Sequence, residues 1–354
     1  METISSAGAL DLLHLARTII RSRTRSPNYF DHANRFSAAL LSGPLGVARD
    51  YYEALGTDLT IIDAHYEALL SQGEAAAPHL RRATVRLQAM AEPSRAAAAV
   101  PSLRRALEGE ACSLLEAARA TVAAITLLGH ATLTRRVSAA AAARWLTLWQ
   151  DRLSQQDRQQ EAQCGLCLLA GRSPEARARI LAALDLPPGA LRPAGATFAA
   201  GVAEYLDRFS ETGAVGVLLA GGLPFAETLR AGDQEALIEL LGATPAHLDR
   251  MSRLMRLAQD VRFDGDERIN AGFFGMSAEL GVDVVDLDGA RVVSAEVEAR
   301  LRREWVPYAT ASRRRADASL AALRPREALH RALTEITDAV SSLAERVVSA
   351  SYKA

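Results

Sequence analysis

The chain has 354 residues, 49% of them hydrophobic and 5% aromatic, with 41 basic and 42 acidic side chains giving a formal net charge of −1. That balance excludes a uniformly basic surface, although a local groove can be basic while the outside is acidic. Apolar content carried largely by alanine, with few rings, points to helix packed on helix, as two helical lobes or one large domain with arms.

Other composition signals are simple. Lys353 is the only lysine, so the cations are almost all arginine. Cys112, Cys164 and Cys167 make no disulfide framework, and a reducing compartment is expected. Cys164-Gly-Leu-Cys167 has CxxC spacing but lacks a second ligand pair, so it reads as a helical pair and not a metal site. No apolar run approaches the ~20 residues of a membrane span, and the N-terminus lacks a signal-peptide pattern. A soluble, intracellular chain is expected.

In chain order, LDLLHLARTIIRSRTRS near the N-terminus predicts a short amphipathic helix ending before Ser26-Pro27. Helices then run to Leu70, with breaks expected near Gly43-Pro44 and Gly56-Thr57 and a cap at Asp58 or Thr60. His65 reads as structural, since no HExxH follows it. Further helices are expected at 79–90 and near 102–107. Glu110 to Leu128 predicts a long buried helix, followed by a loop carrying His130, Thr132, Thr134, Arg135 and Arg136.

The next helix carries Trp145, Trp149, Arg152, Gln155, Gln156 and Gln159, the last four at three- and four-residue steps that share a face. Arginine and glutamine together would suit a phosphate-lined groove, and equally a solvated face. Ser173-Pro174 caps a helix to Leu184. An acidic helix with Glu204, Asp207 and Glu211 stops at Gly213, and a small-residue segment ends at Gly221-Gly222 and Pro224. Thr244-Pro245 caps another helix. An apolar segment from Phe273 to Val285 leads to a Gly-containing turn that delivers Arg291, which reads either as an anion contact or as a solvated arginine on an ordinary surface turn. The tail from Tyr308 holds a basic triplet and a last amphipathic helix.

Several chemistries leave no mark. There is no DDxxD, no paired Glu-x-x-His, no GxxxxGK[ST], no GxGxxG after a strand and no GxSxG. Asp264, Asp266 and Glu267 lie close together without a second acidic cluster facing them. The sequence therefore reads as a non-enzyme with no metal and no cofactor.

The order of pieces resembles the nucleoproteins of non-segmented negative-strand RNA viruses, particularly the paramyxovirus type. The similarity covers roughly 110–305. Its pieces are Thr121–Leu128, His130 to Thr134, Trp145 to Arg152, Tyr205 to Gly213, Val215 to Leu219 and Glu227-Thr228. In the second half come Gly281-Val282-Asp283, Ala290-Arg291, Arg300-Leu301 and Glu304. Departures are His130 at the family's loop lysine, Arg230 at its hinge aromatic, and Leu153 where a second arginine usually follows Arg152.

That resemblance implies an all-α protein of two helical lobes with an RNA groove between them, plus N- and C-terminal exchange arms. The implied divisions are an arm at 1–28, an N-terminal lobe at 29–230, a C-terminal lobe at 231–308 and an arm at 309–354. It implies encapsidation of single-stranded genomic RNA regardless of sequence, with polymerisation into a helical nucleocapsid in the virion and host cytoplasm. His130, Thr132, Thr134, Arg135, Arg136, Arg152, Gln155, Gln156, Arg230 and Arg291 are the expected RNA-binding residues. The implied partners are RNA, further copies of the chain, and a viral phosphoprotein and polymerase. Two other readings stay open: a helical enzyme or ligand-binding protein of terpene-synthase-like type with degenerate metal motifs, and a helical adaptor for protein partners.

Overall fold

The computed structural model describes residues 6–23, 27–109, 112–186, 192–261, 269–287, 295–321, 323–324 and 326–349. Among them every extended regular element is a helix. The first seven are α1 (Ser6–Arg23), α2 (Pro27–Leu41), α3 (Arg49–Leu70), α4 (Ala77–Gln88), α5 (Pro93–Glu108), α6 (Leu114–Leu133) and α7 (Ala139–Leu169). Next come α8 (Pro174–Leu184), α9 (Phe198–Phe209), α10 (Val215–Gly222), α11 (Ala231–Ala243) and α12 (Pro245–Val261). The last are α13 (Ala271–Leu280), α14 (Ala295–Ala321) and α15 (Glu327–Val348). The expected all-α class is met.

Local chemistry explains many of the helix starts. Ser113, Ser138, Ser173 and Thr197 each accept a first-turn backbone N–H through the side-chain oxygen, and Asn270 accepts from both Gly272 and Phe273. Pro93, Pro174 and Pro245 stand at the first helical position, where no N–H is needed. Thr244 gives its hydroxyl hydrogen to the Leu240 carbonyl at 2.7 Å, finishing α11.

Two expected boundaries moved. The helix that was to end at Leu128 continues to Leu133, because Gly129 lies flat under the Trp145 ring and needs no side chain there. Likewise α3 runs straight through Gly56, where a Cβ would approach the Ala33 carbonyl oxygen to 2.9 Å. This glycine permits close helix packing and breaks nothing.

The long α7 crosses the molecule. It touches α4, α8, α10 and α11, while α6 is wrapped by α1, α3 and α5. Further along, α12 packs on α14, α15 and the Ser210–Gly213 turn, and α13 packs on α9. One apolar cluster runs without interruption from Ala9 to Val347. Around residue 230, where the boundary between lobes was expected, α11 lies on α7 and α12 on α10.

The chain ends also belong to this core. Ala9, Leu12, Leu13 and Ala16 of α1 are buried, and Arg17 pairs with Glu53 at 2.5 Å. Leu329, Leu333, Ile336, Val340 and Leu343 bury the apolar face of α15 against α12 and α2. In this single chain α1 and α15, which fall in the segments implied as exchange arms, pack on their own chain, each apolar face meeting other helices. By length and composition α6 could cross a membrane, but 61% of its apolar window is covered by other parts of the protein. A central core helix has the same composition.

A buried histidine makes one junction pH-sensitive. His247 of α12 is 5% exposed, and its Nε2 lies 3.3 Å from Thr337 Oγ1 of α15. Burial, aided by the charge of Arg250, lowers its pKa from 6.5 to about 4. The unfolded chain then binds more protons than the folded one between these values. Stability is full above pH 6.5 and falls as the pH drops, by about 2 kcal/mol at pH 5. Urea melts at pH 7 and pH 5 should show this difference, and His247→Gln should remove most of it. An unchanged pH slope in that variant would assign the acid sensitivity elsewhere.

Candidate nucleic-acid interface

The residues expected to bind RNA fall into two places with opposite character. The first is an exposed edge built from the end of α6. His130 and Thr132 occupy its last turns, Thr134 closes it, and Arg135 and Arg136 form the following turn. The predicted loop thus begins as helix. Thr134 gives its hydroxyl hydrogen to the His130 carbonyl at 3.0 Å.

Arg136 reaches across to the segment after α10. Its Nη2 donates to the carbonyls of Ala226 at 3.0 Å and Leu229 at 3.2 Å, and Nη1 to that of Pro224 at 3.5 Å. The same segment is held from its other side: the backbone N–H groups of Glu227 and Thr228 donate to the Leu45 carbonyl. Tyr51 stacks on Phe225 with ring centroids 3.8 Å apart. Arg136 is therefore a structural clamp, and it fixes Arg230 next to the 134–136 turn.

Arg135 and Arg230 are both exposed, and neither has an ion-pair partner among the described residues. Arg230 is also the N-cap of α11, and no side chain caps that helix. The open first turn of α11 offers backbone N–H groups and the positive end of the helix dipole beside two arginines. A Cβ on Gly232 would meet nothing within 4 Å, so a ligand can approach that backbone closely. Glu227 and Asp233 lie in the same stretch, and Glu235 accepts a hydrogen bond from Ser138. Acidic side chains thus sit among the cations, so this edge is not a uniformly basic patch.

The second place is buried. Arg152 is 4% exposed, and its Nη1 donates to Asp249 Oδ1 at 2.6 Å, Glu211 Oε1 at 3.1 Å and Gln155 Oε1 at 3.3 Å. Ser252 donates to Glu211 Oε1 at 2.8 Å, and Gln159 accepts from the Glu211 backbone N–H at 2.7 Å. Gln156 is buried as well. The predicted shared face of Arg152, Gln155, Gln156 and Gln159 exists, but it meets the 210–213 turn and α12 instead of a groove. Arg152 is occupied by carboxylates, which corrects the expectation that it contacts phosphate.

Burial pushes the Glu211 carboxyl above its ordinary value, while the Arg152 guanidinium and the Ser252 hydroxyl pull it down. Its Oε2 has no hydrogen-bond partner and lies close over Gly216, 2.6 Å from where a Cβ there would be. Gly216 is in the first turn of α10, whose N-cap Ala214 has no capping side chain. The helix dipole stabilises the carboxylate there.

Arg291 lies outside the described residues, as do Asp264, Asp266 and Glu267. Among the described residues no group of three His, Cys, Asp or Glu is placed to hold a metal ion. Sequence reasoning missed the open start of α11. The signal was Arg230-Ala-Gly-Asp entering a helix without Ser, Thr, Asn or Asp at the cap position. Compared with protein families, curated proteins and solved structures, the chain matches none.

Proposed function

We propose that this chain is a viral nucleoprotein, a non-catalytic protein that coats single-stranded RNA without reading its sequence. The observation supporting this is the clamp of Arg136 on the 224–230 segment. It ties the turn that carries Arg135 to the segment that ends at Arg230 and the uncapped start of α11, and these donors would suit phosphate and be indifferent to base edges. His130, Thr132 and Thr134 flank it on α6 and would add hydrogen bonds to sugar or phosphate. The order of sequence pieces, which resembles that of the paramyxovirus-type nucleoproteins, supports the same reading.

Polymerisation is the second half of the proposal. The amphipathic α1 packs on α6, and we infer that it can exchange onto the same face of a neighbouring copy. Such head-to-tail exchange yields open filaments or rings. Virion and host cytoplasm are the places where this activity belongs, with a viral phosphoprotein and polymerase as further partners.

Reversing charge at the exposed edge tests the reading. Arg135→Glu/Arg230→Glu should weaken binding of a labelled RNA oligonucleotide, measured by anisotropy, by about tenfold or more. The slope of log affinity against log salt should flatten by roughly 0.7 per lost phosphate contact. Helical content should not change, because neither side chain is buried. Arg86→Glu on α4 is the control. If the wild-type chain neither carries RNA through purification nor binds it at low salt, the nucleoprotein reading fails. If the double variant binds as well as wild type, RNA runs elsewhere on the molecule.

A further inference from the structure

Away from that edge, a cavity of about 420 Å³ opens between the α11–α12 junction and the α14–α15 pair. Its size falls within the range of about 300–1,000 Å³ that small-molecule sites occupy. Leu240, Leu241, Leu320, Leu323 and Leu333 form its apolar wall. The first turn of α12, Pro245 to His247, makes another part, and exposed Thr244 and Ala246 mark where it meets solvent.

Into this apolar lining the fold sets one cation without a counter-ion. Arg250 has no ion-pair partner among the described residues, and its Nε is buried without any hydrogen-bond partner. Its Nη2 donates to Ser319 Oγ at 3.0 Å. Neighbouring acids are taken by other arginines: Asp249, next in sequence, by Arg152, and Asp317, two residues before Ser319, by Arg313. His247 adds no charge. Thr337 gives its hydroxyl hydrogen to the Leu333 carbonyl at 2.7 Å, so the hydrogen between His247 and Thr337 sits on Nε2, and with burial lowering the pKa to about 4 the ring is neutral at pH 7. The half-buried guanidinium lines the cavity with no carboxylate on it, and an anion seated there would supply the missing counter-charge.

We propose that this cavity binds single-chain aliphatic carboxylates, with the chain among the five leucines and the carboxylate on Arg250 at the first turn of α12. A bare inorganic anion would leave the apolar wall uncovered, and an aliphatic amine would place like charge against Arg250. The carboxylate gains both the guanidinium donors and the positive end of a 17-residue helix.

The test uses the full-length chain titrated calorimetrically with decanoate below its micelle concentration, with decylamine and acetate as comparisons. Saturable binding of one decanoate per chain is expected, with neither comparison ligand binding. Arg250→Met should weaken decanoate about tenfold or more, the loss of a charge-assisted hydrogen bond. Ala246→Trp, which fills the mouth from an exposed position, should abolish binding while leaving the melting temperature of the free protein near that of wild type. Absence of decanoate binding, equal binding of decylamine, or full binding in the Ala246→Trp variant would each overturn the assignment.

Discussion

Replacing Arg152 with methionine should cost about 3–5 kcal/mol, the loss seen when one partner of a buried ion pair is removed. The methionine fills much of the same volume, so the cost is electrostatic. Glu211 would remain with a fully buried side chain, facing Gly216 and supported only by Ser252 and the dipole of α10. Asp249 loses less, because its side chain is 30% exposed and water can take over. In urea titrations the midpoint should fall with no change in slope.

A double variant separates charge from packing. Arg152→Met/Glu211→Gln removes both charges, and most of the lost stability should return, as it does when buried pairs are replaced together. The pH dependence is a second signature. In Arg152→Met the Glu211 carboxyl, already raised by burial, rises further. The folded state then holds a proton that the unfolded state gives up, so the deficit against wild type should shrink as the pH is lowered and grow as it is raised. A deficit independent of pH, or a double variant no more stable than the single one, would show that Arg152 matters through packing alone. The same reasoning makes Arg152→Glu a poor probe of RNA contact, since it would unfold the chain first.

What the letters conveyed and what they withheld divides along physical lines. Helical class, the Ser173-Pro174 start and the stop at Gly222 follow from residues adjacent in sequence, and they are where local chemistry puts them. The spacing of Arg152, Gln155, Gln156 and Gln159 correctly gave a common face. Periodicity cannot say what a face meets, and here the partners, Glu211 and Asp249, lie 59 and 97 residues further along the chain. Gly56 and Gly129 were read as punctuation, yet each serves a close approach to another helix that no local pattern announces. The exposed edge was half legible. Its Thr and Arg residues stood out as a cluster, while the role of Arg136 as a clamp depends on carbonyls some 90 residues distant.

The α9–α13 crossing carries the same lesson with a change of sign. In an exposed helix, glycine to alanine stabilises by about 0.8–1 kcal/mol through backbone entropy. Gly242 of α11 fits that case, since a Cβ there meets nothing within 4 Å, and Gly242→Ala should raise stability by up to about that amount. Gly201 of α9 does not. A Cβ there would overlap the Phe274 carbonyl oxygen, lying 2.7 Å from its carbon and 2.8 Å from Ala278 Cβ. The obstacle is the backbone of α13, which no rotamer change can move. On the reverse side Gly275 lies under the Phe198 ring, where a Cβ would come within 2.6 Å, so the helices cannot slide to make room. Phe274 is also wedged among Tyr205 and Phe209, at ring distances of 5.2 and 5.7 Å. Gly201→Ala should therefore destabilise by about 3 kcal/mol, the upper end for an overpacked core. Its loss should appear in the same denaturation assay that shows a gain for Gly242→Ala. Equal shifts for the two variants would mean that α9 and α13 do not approach this closely in solution, and the packing of Tyr205 and Phe209 around Phe274 would have to be redrawn.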